Sequence, residues 1–444
     1  SSLLLRRAVA AQNHPRNLEK KPKLGSTPIT LGFATGDPEE DGFVIWTRLA
    51  PTPLEEAGGM VLRPILVDWE VSEDEHMSGV VAHGQALAHP ELAHSVHVEV
   101  AGLKSARPYW YRFRVADYQS AVGRGQTLPA AGDSVDRIRF AVAGCQHHEE
   151  GYYTAWRAIA PESVDFVYHY GDYIYEGKDS GPGYRKMNGQ PFKVLRRHIG
   201  PECYSLDEYR RRYAQYKMDI DLQAAHAAAP WFVSFDDHEV DNNWAGDTDQ
   251  DGTPEEVFLF RRAVAMQAYY EHMPLRRRSL PDGSHMQIYR TAQYGDLLTL
   301  FVLATRQFRS DQVYGDKDGP QREGVWASDR SMMGAKQEQW LFNGLARSDS
   351  RWNLLAHQVM MLNLAHRKSA NAQLEYSMDQ WSGYLYSRKR LLEFVQRHCP
   401  GDVGNVTGDA HHHFAGDLLV NPVDKQTASV EFLATSITSG SDGM

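Results

Sequence analysis

The chain has 444 residues, 42% of them hydrophobic, and 47 Lys and Arg against 57 Asp and Glu leave a formal net charge of −10. This length suffices for two or more domains with a large core, and the acidic balance gives no global attraction toward nucleic acid or an anionic membrane. No run reaches the 18 uninterrupted apolar residues of a membrane-spanning helix, so the expectation is a monomer acting on a small molecule.

In chain order, residues 1–28 read as an N-terminal extension. Its start carries Arg6 and Arg7 without a full apolar stretch behind them, the texture of a mature or trimmed chain rather than an intact signal peptide. Residues 29–126 show short strand-like runs at 43–48, 65–71, 96–100 and 109–115, with turn residues between them and no long helical period, which predicts a β-sandwich. Gly102 and Leu103 ahead of Tyr109, Tyr111 and Phe113 resemble the tyrosine-corner region of fibronectin type III modules. Such a module either is a spacer, the simpler role, or brings Gly36 and Asp37 to the rim of a site. A linker of small residues at 127–133 leads into an α/β catalytic domain over 134–444. There, apolar strands at 138–143, 164–170, 231–235 and 297–303, a weaker one at 403–407 and a last one at 430–434 are separated by helical periods at 206–228, 255–273 and 336–346. The irregular segments 177–188 and 246–253 are expected to face substrate. Cys203 and Cys399 are either free thiols or one disulfide.

Four clusters at the expected ends of strands carry the chemistry: Ala-Gly-Cys-Gln at 143–146, Gly-Asp-Tyr-Ile-Tyr-Glu at 171–176, Asp-Asp-His-Glu at 236–239 and Gly-Asp-Ala-His-His-His at 408–413. Singly, each has an ordinary role. Cys145 is a small core residue, Asp236 and Asp237 cap a helix, and the three His make a polar loop. Together they place ligand side chains at one edge of an α/β sheet, where ligands bind, and predict a polynuclear metal site. Asp172 and Tyr175, three residues apart, offer a carboxylate and a phenolate. A group with an unperturbed pKa of about 10 needs a strong Lewis acid to stay deprotonated, which points to ferric iron, and the Cys145 thiolate suits the same ion. Asp237, Asn242, Asn243 and Asp409 offer the hard oxygens that calcium prefers.

These clusters resemble those of the PhoD-like alkaline phosphatases, phosphodiesterases and phosphomonoesterases of the calcineurin-like metallophosphoesterase superfamily. The likeness runs from Gly-Phe-Ala-Thr-Gly-Asp-Pro at 32–38 and Ile-Trp-Thr-Arg at 45–48 to Thr-Arg-Gln-Phe-Arg-Ser-Asp-Gln at 305–312, Met-Asp-Gln-Trp at 378–381 and Thr-Gly-Asp-Ala-His at 407–411. It implies a fibronectin III-like β-sandwich followed by an αββα metallophosphoesterase domain. It also implies a secreted or periplasmic enzyme, often exported folded through the twin-arginine route, that cleaves phosphate esters at alkaline pH. Cys145, Asp172, Tyr175 and His411, with His413 as the alternative, would hold Fe3+. Asp172 would bridge to Ca2+, whose number is open, with Asp237 and Asp409 as further ligands and Asn242 or Asn243 as a calcium or phosphate contact. His238 would be catalytic or would orient Asp237. Arg306 and Arg309 would fork onto phosphate oxygens or form surface ion pairs. Phosphodiesters of lipids or nucleotides are the alternative substrates.

Two departures stand against the family pattern. Ala304 and Ser382 replace carboxylates, which implies fewer calcium ions or weaker activity if those carboxylates bind calcium or orient Arg306, and at the extreme a non-catalytic binder of metal or phosphate. Relatives continue past the last strand into a helix near the site, so a more open pocket is implied here.

Overall fold

The computed structural model describes residues 24, 26–187, 190–367, 369, 371–421 and 426–440; most of the expected N-terminal extension lies outside them. Eight strands lie between residues 33 and 126: β1 (Phe33–Glu39), β2 (Gly42–Arg48), β3 (Ile65–Ser72), β4 (Val80–Ala88), β5 (Ser95–Val100), β6 (Pro108–Val115), β7 (Tyr118–Gln119) and β8 (Gly123–Gln126). In β6 the alternation predicted from sequence is real: Tyr109, Tyr111, Phe113 and Val115 point inward while the residues between them do not. They meet Phe43 and Ile45 of β2 and Val96 and Val98 of β5 in one apolar core between two sheets.

The rest of the chain adds β9 (Phe140–Ala143), β10 (Phe166–His169), β11 (Tyr184–Met187), β12 (Gln190–Lys193), β13 (Pro230–Val233), β14 (Arg290–Tyr294), β15 (Leu298–Val302), β16 (Trp352–Ala356), β17 (Val403–Thr407), β18 (Phe414–Leu419) and β19 (Thr427–Leu433). One six-stranded sheet has the order β5-β2-β1-β13-β10-β9 and the other β14-β15-β16-β17-β19-β18. The two face each other through Phe166, Tyr168 and Phe232 on one side and Leu300, Val302, Leu354 and Val406 on the other. Helices Leu206–Lys217, Ile220–Ala228 and Glu255–His272 cover the outer face of the first sheet. Gly334–Arg347 and Leu385–His398 cover the outer face of the second.

Several expectations are refined. The single helix at 206–228 is two, because the Asp219 carboxylate accepts from Asp221 N and Leu222 N and starts a new helix there. The segment 177–188 leads into the β11–β12 hairpin. Gly36 and Asp37 are not at the rim of a site: Asp37 is buried. β1 pairs in parallel with β13, with Gly36 opposite Trp231, and a Cβ at Gly36 would meet Pro274 O at 2.3 Å. Asp37 Oδ1 accepts from Arg290 Nε at 2.7 Å, so this stretch joins the N-terminal strands to the catalytic sheet. Cys145, Cys203 and Cys399 are all free and buried. Among the described residues no helix is long and apolar enough to cross a membrane.

Lys217 lies beneath aromatic rings in this core, its Nζ 4.3 Å from the Trp46 ring centroid and 5.2 Å from that of Tyr173. Burial holds its pKa well below the ordinary 10.5. Between those two values the unfolded lysine binds a proton that the folded one does not. Its effect on stability therefore becomes more favourable as pH rises toward 10.5 and less so as pH falls. Lys217→Met is expected to raise Tm near neutral pH and to flatten the rise of Tm toward alkaline pH, as read by thermal denaturation; an unchanged slope would contradict a neutral buried lysine.

Candidate metal centre

The first sheet delivers three of the four clusters at the carboxyl ends of parallel neighbours, β9 before Cys145, β10 before Asp172 and β13 before Asp236. The second sheet delivers Arg306 after β15 and Asp409 after β17. The site therefore lies where the corresponding ends of two facing sheets meet, not along one sheet. Five ligand candidates sit in left-handed backbone: Cys145 (φ 50°), Asp172 (φ 54°), Asn243 (φ 51°), Asp409 (φ 67°) and His411 (φ 55°). Such conformations cost about 1–3 kcal/mol each and persist only where their surroundings enforce them.

The enforcing contacts are visible. Glu239, fully buried, accepts the backbone N–H groups of Asp172, Tyr173 and Asp236, tying two of the loops together. Cys145 N donates to Gly171 O and Gln146 N to Asp172 O, both at 3.1 Å. Gly171 is at φ 137°, and a Cβ there would stand 2.3 Å from Asp236 N, so only glycine allows the loops to approach this closely. At Gly408 a Cβ would meet the ring of Tyr170 at 2.2 Å, which fixes the last cluster against the first sheet.

Two donor groups result. Atoms of Cys145, Asp172 and His411 lie within 4.8 Å of one another. The Tyr175 hydroxyl joins them, 2.8 Å from Asp172 Oδ2 and 3.2 Å from His411 Nε2. Beside this mixed thiol, phenol, imidazole and carboxylate set, oxygens of Asp172, Asp236, Asp237 and Asp409 form an all-oxygen group within the same span. Asp172 belongs to both. Asp172 Oδ1, Asp236 Oδ2 and Asp237 Oδ1 are buried without a hydrogen-bond partner, an arrangement that protein groups leave costly and that a cation satisfies. The residues present therefore fit a soft-tolerant ion in the first group and a hard one in the second.

The electrostatics agree. Burial and then the charge of Asp237 push the Asp172 carboxyl well above its ordinary value. Burial, only partly offset by Arg306, does the same at Asp236 and lifts Asp409 to about 6. Burial also opposes ionisation of Asp237, but Arg306, His238 and the Asn243 N–H outweigh it and hold this carboxylate low. Burial raises the Cys145 thiol and the Tyr175 phenol, with the charge of Asp172 adding to each. Burial disfavours the His238 cation, yet Glu176 and Asp237 lift its pKa well above 6.5; Glu176 Oε2 receives its Nδ1–H at 2.7 Å.

Not every expected residue stands as expected. Arg306 is not at a rim where phosphate would meet it. It is fully buried, and its guanidinium is spent on carboxylates: Nε on Asp236, Nη1 on both oxygens of Asp379 at 2.8 Å, and Nη2 on Asp409 at 2.9 Å. Arg309 is buried as well, with Nη2 on Asp379 Oδ1 at 2.6 Å. Asn242 gives its amide to Gln250 and its backbone N–H to Glu176, while Asn243 N donates to Asp237 Oδ2 at 2.7 Å. Ala304 is buried in the core with its backbone held by Gln337, and Arg306 is fully partnered without a carboxylate there. Ser382 is buried, its hydroxyl without a partner. Glu176, Asp236, Glu239 and Asp379 emerge as site residues from the same motifs; the available signal is a place within two residues of a named ligand for the first three, and the Met-Asp-Gln-Trp motif at 378–381 for Asp379. Arg306→Lys keeps the charge but loses the fork. Because it leaves buried carboxylates short of donors, it is expected to cost about 3 kcal/mol in urea unfolding and to weaken metal retention; wild-type values for both would remove Arg306 from this role.

Two family models match the chain: that of the PhoD-like phosphatase over residues 140–444 and that of the PhoD-like phosphatase N-terminal domain over residues 13–129. Alkaline phosphatase D of Bacillus subtilis (strain 168) is 46% identical over 426 residues, covering 95% of this chain and 71% of that protein. A solved structure of PhoD superposes with a TM-score of 0.90 at 44% identity, covering 94% of this chain and 79% of that one. On the strength of these matches the chain belongs to the PhoD-like phosphatase family and is a hydrolase of phosphate esters.

Proposed function

We propose that the chain is an exported, metal-dependent phosphoesterase that hydrolyses phosphodiesters and phosphomonoesters at alkaline pH. Fe3+ would be held by Cys145, Asp172, Tyr175 and His411, and Ca2+ by Asp172, Asp237 and Asp409. The observation that carries this reading is the set of buried oxygens without a hydrogen bond on Asp172, Asp236 and Asp237, beside a thiol, a phenol and an imidazole. When bound, such ions polarise phosphate oxygens and activate water as a nucleophile.

The chain's own residues do the rest. Glu176 fixes His238 through Nδ1, which leaves the Nε2 proton for the leaving alkoxide, a contribution of about 10²–10⁴-fold for general acids. Glu176 and Asp237 raise the pKa of His238 above its ordinary value and so favour the protonated form that a general acid needs. Arg306 and Glu239 hold the carboxylates and the loop backbone in place, so they are positioning groups rather than partners of the substrate. For the N-terminal strands we keep the fibronectin III-like reading and the division at 29–126 and 134–444. It is supported by the Tyr109 hydroxyl, which accepts from Lys104 N at 2.9 Å, the back-bond of a tyrosine corner.

The first test is the visible spectrum of the purified protein together with its metal content. A band that disappears in Tyr175→Phe, with the fold retained, is expected for a phenolate on ferric iron; a colourless protein with stoichiometric metal would falsify the iron assignment. Chelation should abolish turnover of both an aryl phosphodiester and an aryl monoester, and turnover that survives complete metal removal is incompatible with the mechanism.

A further inference from the structure

After β19 the chain doubles back as a strap, residues 435–440, across the cluster that follows β9. Ile437 N donates to Gly144 O at 3.0 Å, and Thr438 N and Ser439 N both donate to Cys145 O, at 3.3 and 3.1 Å. Thr438 Oγ1 donates to His147 O at 2.8 Å. At the far end His411 Nδ1 donates to Gly440 O at 2.7 Å. That bond settles the neutral tautomer, so the Nε2 facing Tyr175 carries a lone pair. Three of the four residues assigned above to the mixed donor group, Cys145, Tyr175 and His411, thus touch one short segment of chain.

Within the strap, Ser439 is distinguished by what its side chain does. Its Oγ is buried, 2.7 Å from Cys145 O and 2.6 Å from the Tyr175 hydroxyl oxygen, and it accepts the His147 N–H at 3.2 Å. A hydroxyl has one proton, so it can donate to only one of the first two. While Tyr175 is a phenol, it donates its own proton to Asp172 Oδ2, and Ser439 is free to serve Cys145 O. The other neighbours of the Tyr175 oxygen are Asp172 Oδ2, which takes the phenol proton, and the His411 Nε2 lone pair. Among the hydrogen-bond partners of this oxygen, Ser439 is the one with a proton to give.

We propose that Ser439 is a positioning residue of the metal centre, whose buried hydroxyl, within hydrogen-bond reach of both Cys145 O and the Tyr175 oxygen, fixes Tyr175 as a ligand and moderates its electron donation. The inference rests on the reading of Tyr175 as a metal-bound phenolate.

The test uses the full-length, metal-loaded protein with Ser439→Ala and Ser439→Thr. Alanine keeps the backbone N–H bonds of the strap to Cys145 O and removes only the hydroxyl. Ser439→Ala is expected to release metal to a chelator about 10- to 100-fold faster and to move the phenolate band to longer wavelength, because the oxygen loses its donor. Ser439→Thr, which restores a hydroxyl, should recover both. An alanine variant with wild-type release rate and an unmoved band overturns the role of Ser439 while leaving the metal centre intact. Faster release that follows a drop in Tm, with the band unmoved in the metal-bound fraction, also overturns it, since that is the mark of a merely structural serine. A wild-type protein that takes up no metal at these residues overturns the reading of the centre and this inference together.

Discussion

Buried carboxylates gathered around one guanidinium are the constraint on which the rest of this structure depends. Asp236, Asp379 and Asp409 each give at least one oxygen to Arg306, and Asp237 stands 3.5 Å from its Nη2. Burying these groups is expensive, and a single positive charge does not balance them all. The remainder is visible as oxygens without a hydrogen bond and carboxyls pushed toward the protonated form. Such an arrangement is one that a bound cation would satisfy. Loading the site would displace protons, which would make metal affinity depend on pH.

The surrounding fold serves to hold that repulsive group in place. Aromatic packing between the facing sheets, as in the Phe166 and Tyr294 pair at 5.5 Å, sets the distance between strand ends that belong to different sheets. Left-handed backbone at Cys145, Asp172, Asp409 and His411 then aims each side chain inward. The strain is carried by hydrogen bonds that look secondary in isolation: three N–H groups on Glu239, the Gln146 amide on Tyr173 O at 2.9 Å, and the strap behind Cys145. The N-terminal strands belong to the same scheme. Because β1 hydrogen-bonds to β13, the sheet that presents Asp236 extends without a break into the first part of the chain.

The residue types and their order determined much of this. Strand ends with Cys145, Asp172, Tyr175, Asp237, Asp409 and His411 were legible because ligand side chains stand out after apolar runs, and the structure brings these six close together. β17 was legible at 403–407 despite Gly404 and Asn405, and β6 was legible as a strand-like run at 109–115. The helix break at Asp219 was written in a capping residue, but the apolar period runs through it and hides it.

What only the tertiary structure decided is which polar residues face which. Arg306 follows an apolar strand, as a phosphate-binding arginine would. Nothing local to it shows that Asp236, Asp379 and Asp409, which lie 70, 73 and 103 residues away, occupy all its donors. Glu239 and Glu176 are adjacent to named ligands, yet their partners are backbone N–H groups and a histidine supplied by other loops. Sequence spacing specifies what one loop can offer, because neighbouring side chains are tied by short covalent geometry. Pairing across loops depends on sheet stacking and long-range register, and these are set by the packing of the whole core.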